Sequence, residues 1–133
     1  MATKNLWGDM PVLDDDTITQ LMIMREQANL LRQATHGVLR ATISTSPLAL
    51  GKMRHSFYLV APLLNDYRHL LFSVEHGIEP YPAKVEFKQA PKGAPCKSQE
   101  AFENLLGLIL KHPDTRKAVS SLVKNSKAAK STE

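Results

Sequence analysis

Apolar residues in this chain recur at spacings of three and four near both ends, and at a spacing of two through the middle. Leu21, Met24, Ala28 and Leu31 fall on one face of a helix, and Met22 and Leu30 widen that face. Asp14, Asp15 and Asp16 stand before it, where acids complement the positive helix N-terminus. Thr17 with Gln20 has the spacing of a capping box. The His36–Gly37 pair ends the helix, because glycine takes the left-handed conformation freely. The three aspartates do not continue into the ligand spacing of a calcium loop, so capping is their expected role.

After Gly37 the period changes to two. Leu39, Ala41 and Ile43 alternate with Arg40, Thr42 and Ser44. In MRHSFYLVA, Met53, His55, Phe57, Leu59 and Ala61 take one side, and in RHLLFSVEH Leu70, Phe72, Val74 and His76 do the same. AKVEFK adds a shorter strand with Ala83, Val85 and Phe87 inward. Short connections between these runs predict an antiparallel meander of four strands. QAPKGAPCK, with two prolines and a glycine, reads as the linker from sheet to helix. Ser98 caps the next helix, with Phe102, Leu105, Leu106, Ile109 and Leu110 as its stripe. Pro113 opens the last helix, whose face of Val119, Leu122 and Val123 fades into KNSKAAKSTE. The predicted fold is α+β: an N-terminal helix, a four-stranded antiparallel meander, and two C-terminal helices packed on one face of the sheet. Residues 1–13 are expected to be a flexible leader, 14–126 a single domain, and 127–133 a disordered basic tail. Trp7 is expected to fold back onto the body, since an indole is rarely left in water.

The two central strands predict their own register. Phe57 opposite Phe72 puts Leu59 opposite Leu70, His55 opposite Val74 and Met53 opposite His76. On the other face Arg54 meets Glu75, Tyr58 meets Leu71 and Val60 meets His69. A slip of one residue would scatter these matches.

At 133 residues, with 43% hydrophobic and 23% charged positions, the chain suits one soluble domain that needs no staple or metal to fold. No apolar run reaches the length of about 20 residues that a membrane helix needs. MATKNLWGDM has no apolar stretch behind Lys4, so it is not expected to act as a signal peptide. One cysteine, Cys96, fits a reducing compartment, and the cytoplasm is the expected location. The net charge of +4 is uneven: residues 1–36 carry −2, 37–88 carry +2 and 89–133 carry +4.

Candidate chemistry concentrates in YRHLLFSVEHGIEPYP, residues 67–82. The register accounts for Glu75 as the partner of Arg54, and Glu79–Pro80–Tyr81–Pro82 reads as a stiff corner. His55 and His76 lie on one face near one end, as two ligands of a metal would. Zinc needs three or four ligands, and no HExxH or CxxC supplies the rest. His69, His76, Glu75 and Glu79 with a serine would suit acid–base chemistry, yet there is no GxSxG elbow and no phosphate loop. No catalytic residue, metal ligand or cofactor is therefore assigned.

With helices on one side, the other side of the sheet is left free. Tyr58, Val60 and Leu71 are expected there as an apolar centre within a basic surround, and Arg40, Arg54, Tyr58, Val60, His69, Leu71 and Lys84 are the candidate partner-binding residues. The expected function is a small protein-interaction module of accessory, immunity-like or chaperone-like type. It would bind a protein partner or itself through the sheet face or an exposed edge strand. The alternative is single-stranded nucleic-acid binding through the basic face and tail. A small apolar ligand between helices and sheet is the third possibility.

Overall fold

The computed structural model describes residues 3–10 and 16–131. Three helices and five strands follow in the order α1 (Gln20–Ala34), β1 (Arg40–Pro47), β2 (Met53–Ala61), β3 (Tyr67–His76), β4 (Ala83–Phe87), β5 (Ala90–Cys96), α2 (Gln99–Lys111) and α3 (Pro113–Ser131). The sheet is an antiparallel meander in strand order 1-2-3-4-5. Phe57, Leu59, Phe72, Val74 and Val85 form its core face, and Met24, Phe102, Leu106, Ile109 and Leu122 meet them from the helices. The α1 helix lies against β1, α2 against β5, and α3 over β2 and the short turn Pro62–Leu64. The α+β class and the single helical layer agree with the sequence pattern.

The strand count differs from the pattern. QAPKGAPCK is not a linker: Ala90–Cys96 is a fifth strand, joined to β4 by a two-residue turn. Pro91 and Pro95 have no N–H to give a ladder, which would bar them from a central strand. An edge strand needs partners on one side only, so it tolerates both.

The first helix begins later than the aspartates suggest. Thr19, not Thr17, is the N-cap: Met22 N–H donates to its hydroxyl at 3.3 Å, and the Met22 sulfur accepts from Thr19 N–H at 3.4 Å. This start lets Gln20 and Met24, one turn apart, both point into the protein, where the Gln20 amide donates to the Pro80 carbonyl. Asp14 and Asp15 lie outside the described residues. At the other end His36 and Gly37 both take positive φ, and their N–H groups return to Gln33 and Arg32. The last helix continues through its lysines to Ser131, with the Ser126 hydroxyl bonded back to the Leu122 carbonyl. Residues 3–10 form neither helix nor strand, and Trp7 is 80% exposed instead of folded onto the body. The core closes on its own helices without it.

The expected β2–β3 register holds from Met53↔His76 to Phe57↔Phe72, whose rings stack with centroids 5.1 Å apart. There it breaks. Tyr58 pairs with Leu70, Leu59 with His69 and Val60 with Arg68, so β3 carries one extra residue at Leu71, a β-bulge. Leu71 turns to the helix side and packs on the core, while Leu70 comes out to the free face, 51% exposed. Alternation without a bulge assigns these two leucines to the opposite faces.

Charge substitution separates the two registers. Leu71→Asp is expected to cost about 2–4 kcal/mol in denaturant unfolding, because it places a carboxylate against the core. Leu70→Asp is expected to stay within about 0.5 kcal/mol of the parent. The unbulged pairing requires the reverse order.

Candidate interaction site

Five of the seven candidate residues share the helix-free face of the sheet: Arg40, Arg54, Tyr58, Val60 and Lys84. The bulge sends the other two, His69 and Leu71, to the helix side. Leu70 takes the place expected for Leu71 beside Tyr58 on that face. Val60 is 7% exposed and belongs to no part of the helix-side core, so its neighbours on the open face already cover it. The Arg68 guanidinium stacks over the Tyr58 ring at 4.0 Å.

This face is also largely satisfied by its own charges. Glu75 lies 3.4 Å from Arg54 and 3.9 Å from both Lys52 and Lys84. Glu86 lies 3.2 Å from Arg54 and 3.9 Å from Lys84. The stem of Lys84 crosses Gly93 so closely that a Cβ there would run into it, and Gly93 has a φ of +98°, so glycine is needed twice over. The expected Arg54–Glu75 pair thus exists as part of a larger network. Arg40 reaches Asp66 at 3.9 Å, both well exposed, a contact of little energetic weight.

An unsatisfied surface lies elsewhere. The β4 strand reaches only to the Phe72↔Phe87 pair, whereas β3 begins five residues earlier at Tyr67. Residues Tyr67–Leu71 consequently have β2 on one side and, among the described residues, no strand on the other. Among the described residues, no other backbone hydrogen bond reaches that edge. It is roughly 17 Å of open ladder. Alongside runs a groove made of two depressions of about 490 and 460 Å³ that share His69 and Ala118. Leu71, Phe87, Ile109 and Ala118 line one part, and Leu64, Tyr67, Leu122 and Asn125 the other. Asp114, at one end, is already engaged by Lys88 at 3.5 Å and by the Gln89 amide at 2.8 Å.

The histidines of β2 and β3 are held by their neighbours. His55 and His76 are buried with their Nε2 atoms 2.9 Å apart. Thr45 Oγ1 lies 2.8 Å from His55 Nδ1, and the Gly77 carbonyl oxygen 2.6 Å from His76 Nδ1. All four ring nitrogens are occupied, so neither ring offers a lone pair to a substrate. Among the described residues, no third His, Cys, Asp or Glu joins them as a metal would require. His69, the third histidine considered, stands apart in the groove.

The sequence contained one signal for the groove that alternation does not use. The run YRHLLFSVEH is twice as long as AKVEF, so their pairing must leave part of the longer strand bare. No helix among the described residues is long and apolar enough to cross a membrane.

Cys96 is 1% exposed, and burial pushes its thiol above the usual cysteine range. It should therefore react with a disulfide reagent at neutral pH at least about a hundredfold more slowly in the folded protein than in denaturant. Equal rates in the two states would show that the thiol is accessible. Compared with known proteins, the chain matches no family model, no curated protein and no solved structure.

Proposed function

We propose that the protein is a cytoplasmic interaction module without catalytic chemistry, which receives an extended segment of a partner protein as an added strand on β3, beside α3. The observation that carries this reading is the unpaired Tyr67–Leu71 edge lying along an apolar groove. An open ladder supplies main-chain affinity without regard to sequence, and the groove supplies selection through alternate side chains. A segment laid there would satisfy the free β3 groups and turn every second side chain toward Ala118 and Leu122, where small and aliphatic residues leave room. His69 sits on the strand itself, and Lys117 and Lys124 fall one helical row outside Ser121 on α3. The rim therefore favours a segment with acidic residues beside its apolar ones. A reduced, buried Cys96 suits the cytoplasm.

The open sheet face supports partner binding less well, because Arg54 and Lys84 are held by Glu75 and Glu86 and the Tyr58 ring is capped by Arg68. The same facts weigh against single-stranded nucleic acid, which needs free cations and a bare aromatic platform.

A randomised peptide library panned on the protein should yield extended apolar–acidic peptides. Their binding should shift the amide resonances of residues 67–71 and 118–125. Ala118→Arg, which fills the groove, should weaken them by about tenfold or more, and Tyr58→Ala should leave them unchanged. Failure to recover any peptide, or peptides insensitive to Ala118→Arg, would refute the groove reading. Oligonucleotide binding at low salt, with shifts at Arg40 and Arg68, would favour the nucleic-acid alternative instead.

A further inference from the structure

The buried imidazole pair at the far end of β2 and β3 has a proton arrangement that hydrogen-bond chemistry alone determines. The Gly77 carbonyl can only accept, so His76 Nδ1 carries a hydrogen. In neutral His76 the other nitrogen, Nε2, is then bare. The hydrogen in the 2.9 Å contact must come from His55 Nε2, which leaves His55 Nδ1 bare. The Thr45 hydroxyl fills that position by donating to it. One chain of three donations, Thr45 to His55 to His76 to Gly77, satisfies every ring nitrogen while both rings are neutral.

Adding protons disturbs this chain in two steps. A first proton places a full charge in the site and puts a hydrogen on His55 Nδ1, so the Thr45 hydroxyl must turn from donor to acceptor. A second proton sets two N–H groups against each other across 2.9 Å, which no arrangement accommodates. The surroundings offer no compensation. Thr45 faces the pair from β1, and the nearest turn and corner bring Lys52, Glu79 and Tyr81 to the cleft that His76 borders. Glu75 and Lys84, in that same cleft, are paired with each other and with Arg54 and Lys52. The β5 strand contributes Cys96, α2 contributes Glu103 against Tyr81, and α1 contributes only the uncharged Gln20 at Pro80. Among the described residues, no carboxylate forms an ion pair with either ring.

We propose that His55 and His76 form a proton-operated latch. When neutral, it ties the ends of β1, β2 and β3 to the corner 77–82; when protonated in acid, it releases that corner and the start of β4. The tie is geometric: His76 is the last residue of β3 and bonds the first carbonyl of the corner, and Ala83 of β4 pairs with it. Burial first, and the facing His76 ring second, hold His55 below the ordinary imidazole value. Because the folded value is the lower one, the unfolded or opened state takes up the proton first. Stability is therefore full above about pH 6.5 and is lost as pH falls from there through the folded value. This inference stands independently of the groove.

Long-range proton–nitrogen NMR on the intact protein at about pH 7.5 should find His55 protonated only on Nε2 and His76 only on Nδ1. The opposite tautomers, or a cationic ring at that pH, would overturn the proposal. Hydrogen exchange, corrected for intrinsic rates, should show protection of residues 76–83 falling by about tenfold or more between about pH 7.5 and 5.5, while residues 57–61 and 102–109 keep theirs. The fall should track the His55 titration and become smaller in His76→Gln, where burial still acts on His55 but no second imidazolium faces it. Uniform loss along the chain, or none, would sink the latch. If His76→Gln does not fold, the coincidence of the parent protein's two titrations decides the matter.

Discussion

Phe57 stacked on Phe72 is the contact from which the rest of this sheet takes its register. Both rings are buried, and their area ties β2 to β3 at one fixed pair. On one side of the stack the pairing runs regularly to Met53↔His76, bringing Arg54 to Glu75 and His55 to Val74. On the other side the bulge at Leu71 intervenes, and every earlier residue of β3 changes face. The two ends of β3 therefore serve different purposes. One is closed by β4 and the histidine pair, and the other is bare along one edge.

The two surfaces of the sheet contrast in how far their polar groups are satisfied. The open face is charged, yet its charges answer each other: Glu75 and Glu86 sit among Lys52, Arg54 and Lys84. The β3 edge carries little charge but exposes backbone donors and acceptors that have no partner on that side among the described residues. Natural sheets usually cover or blunt such edges, because a bare ladder recruits other strands. Here β5 has its prolines, β4 has β5 and β1 is the sheet's other edge, whereas Tyr67–Leu71 borders a groove beside α3. Charge draws the eye to the first surface, and hydrogen-bond accounting directs it to the second.

The histidines show the same distinction between residue type and role. Two imidazoles 2.9 Å apart resemble a reaction or metal site in the abstract. With all four nitrogens engaged and, among the described residues, no carboxylate in an ion pair with either ring, they act as buried polar fasteners.

Local pattern alone determined the α+β class, the limits of β2, the Phe57↔Phe72 register and the helix cap at Ser98, because each rests on spacing within a few residues. Three features escaped it. The bulge at Leu71 leaves adjacent leucines that read equally well on either face. Ala90–Cys96 is a strand only because an edge position forgives its prolines. Thr19 outranks Thr17 as a cap only because Gln20 then reaches Pro80, sixty residues away. The candidate site followed the same division: Arg54, Tyr58 and Lys84 were readable as outer-face residues, whereas His69 and Leu71 moved with the bulge. Where β4 stops against β3 was settled by the packed fold, since a strand's own sequence records its length but not which neighbour's hydrogen bonds it leaves unmade.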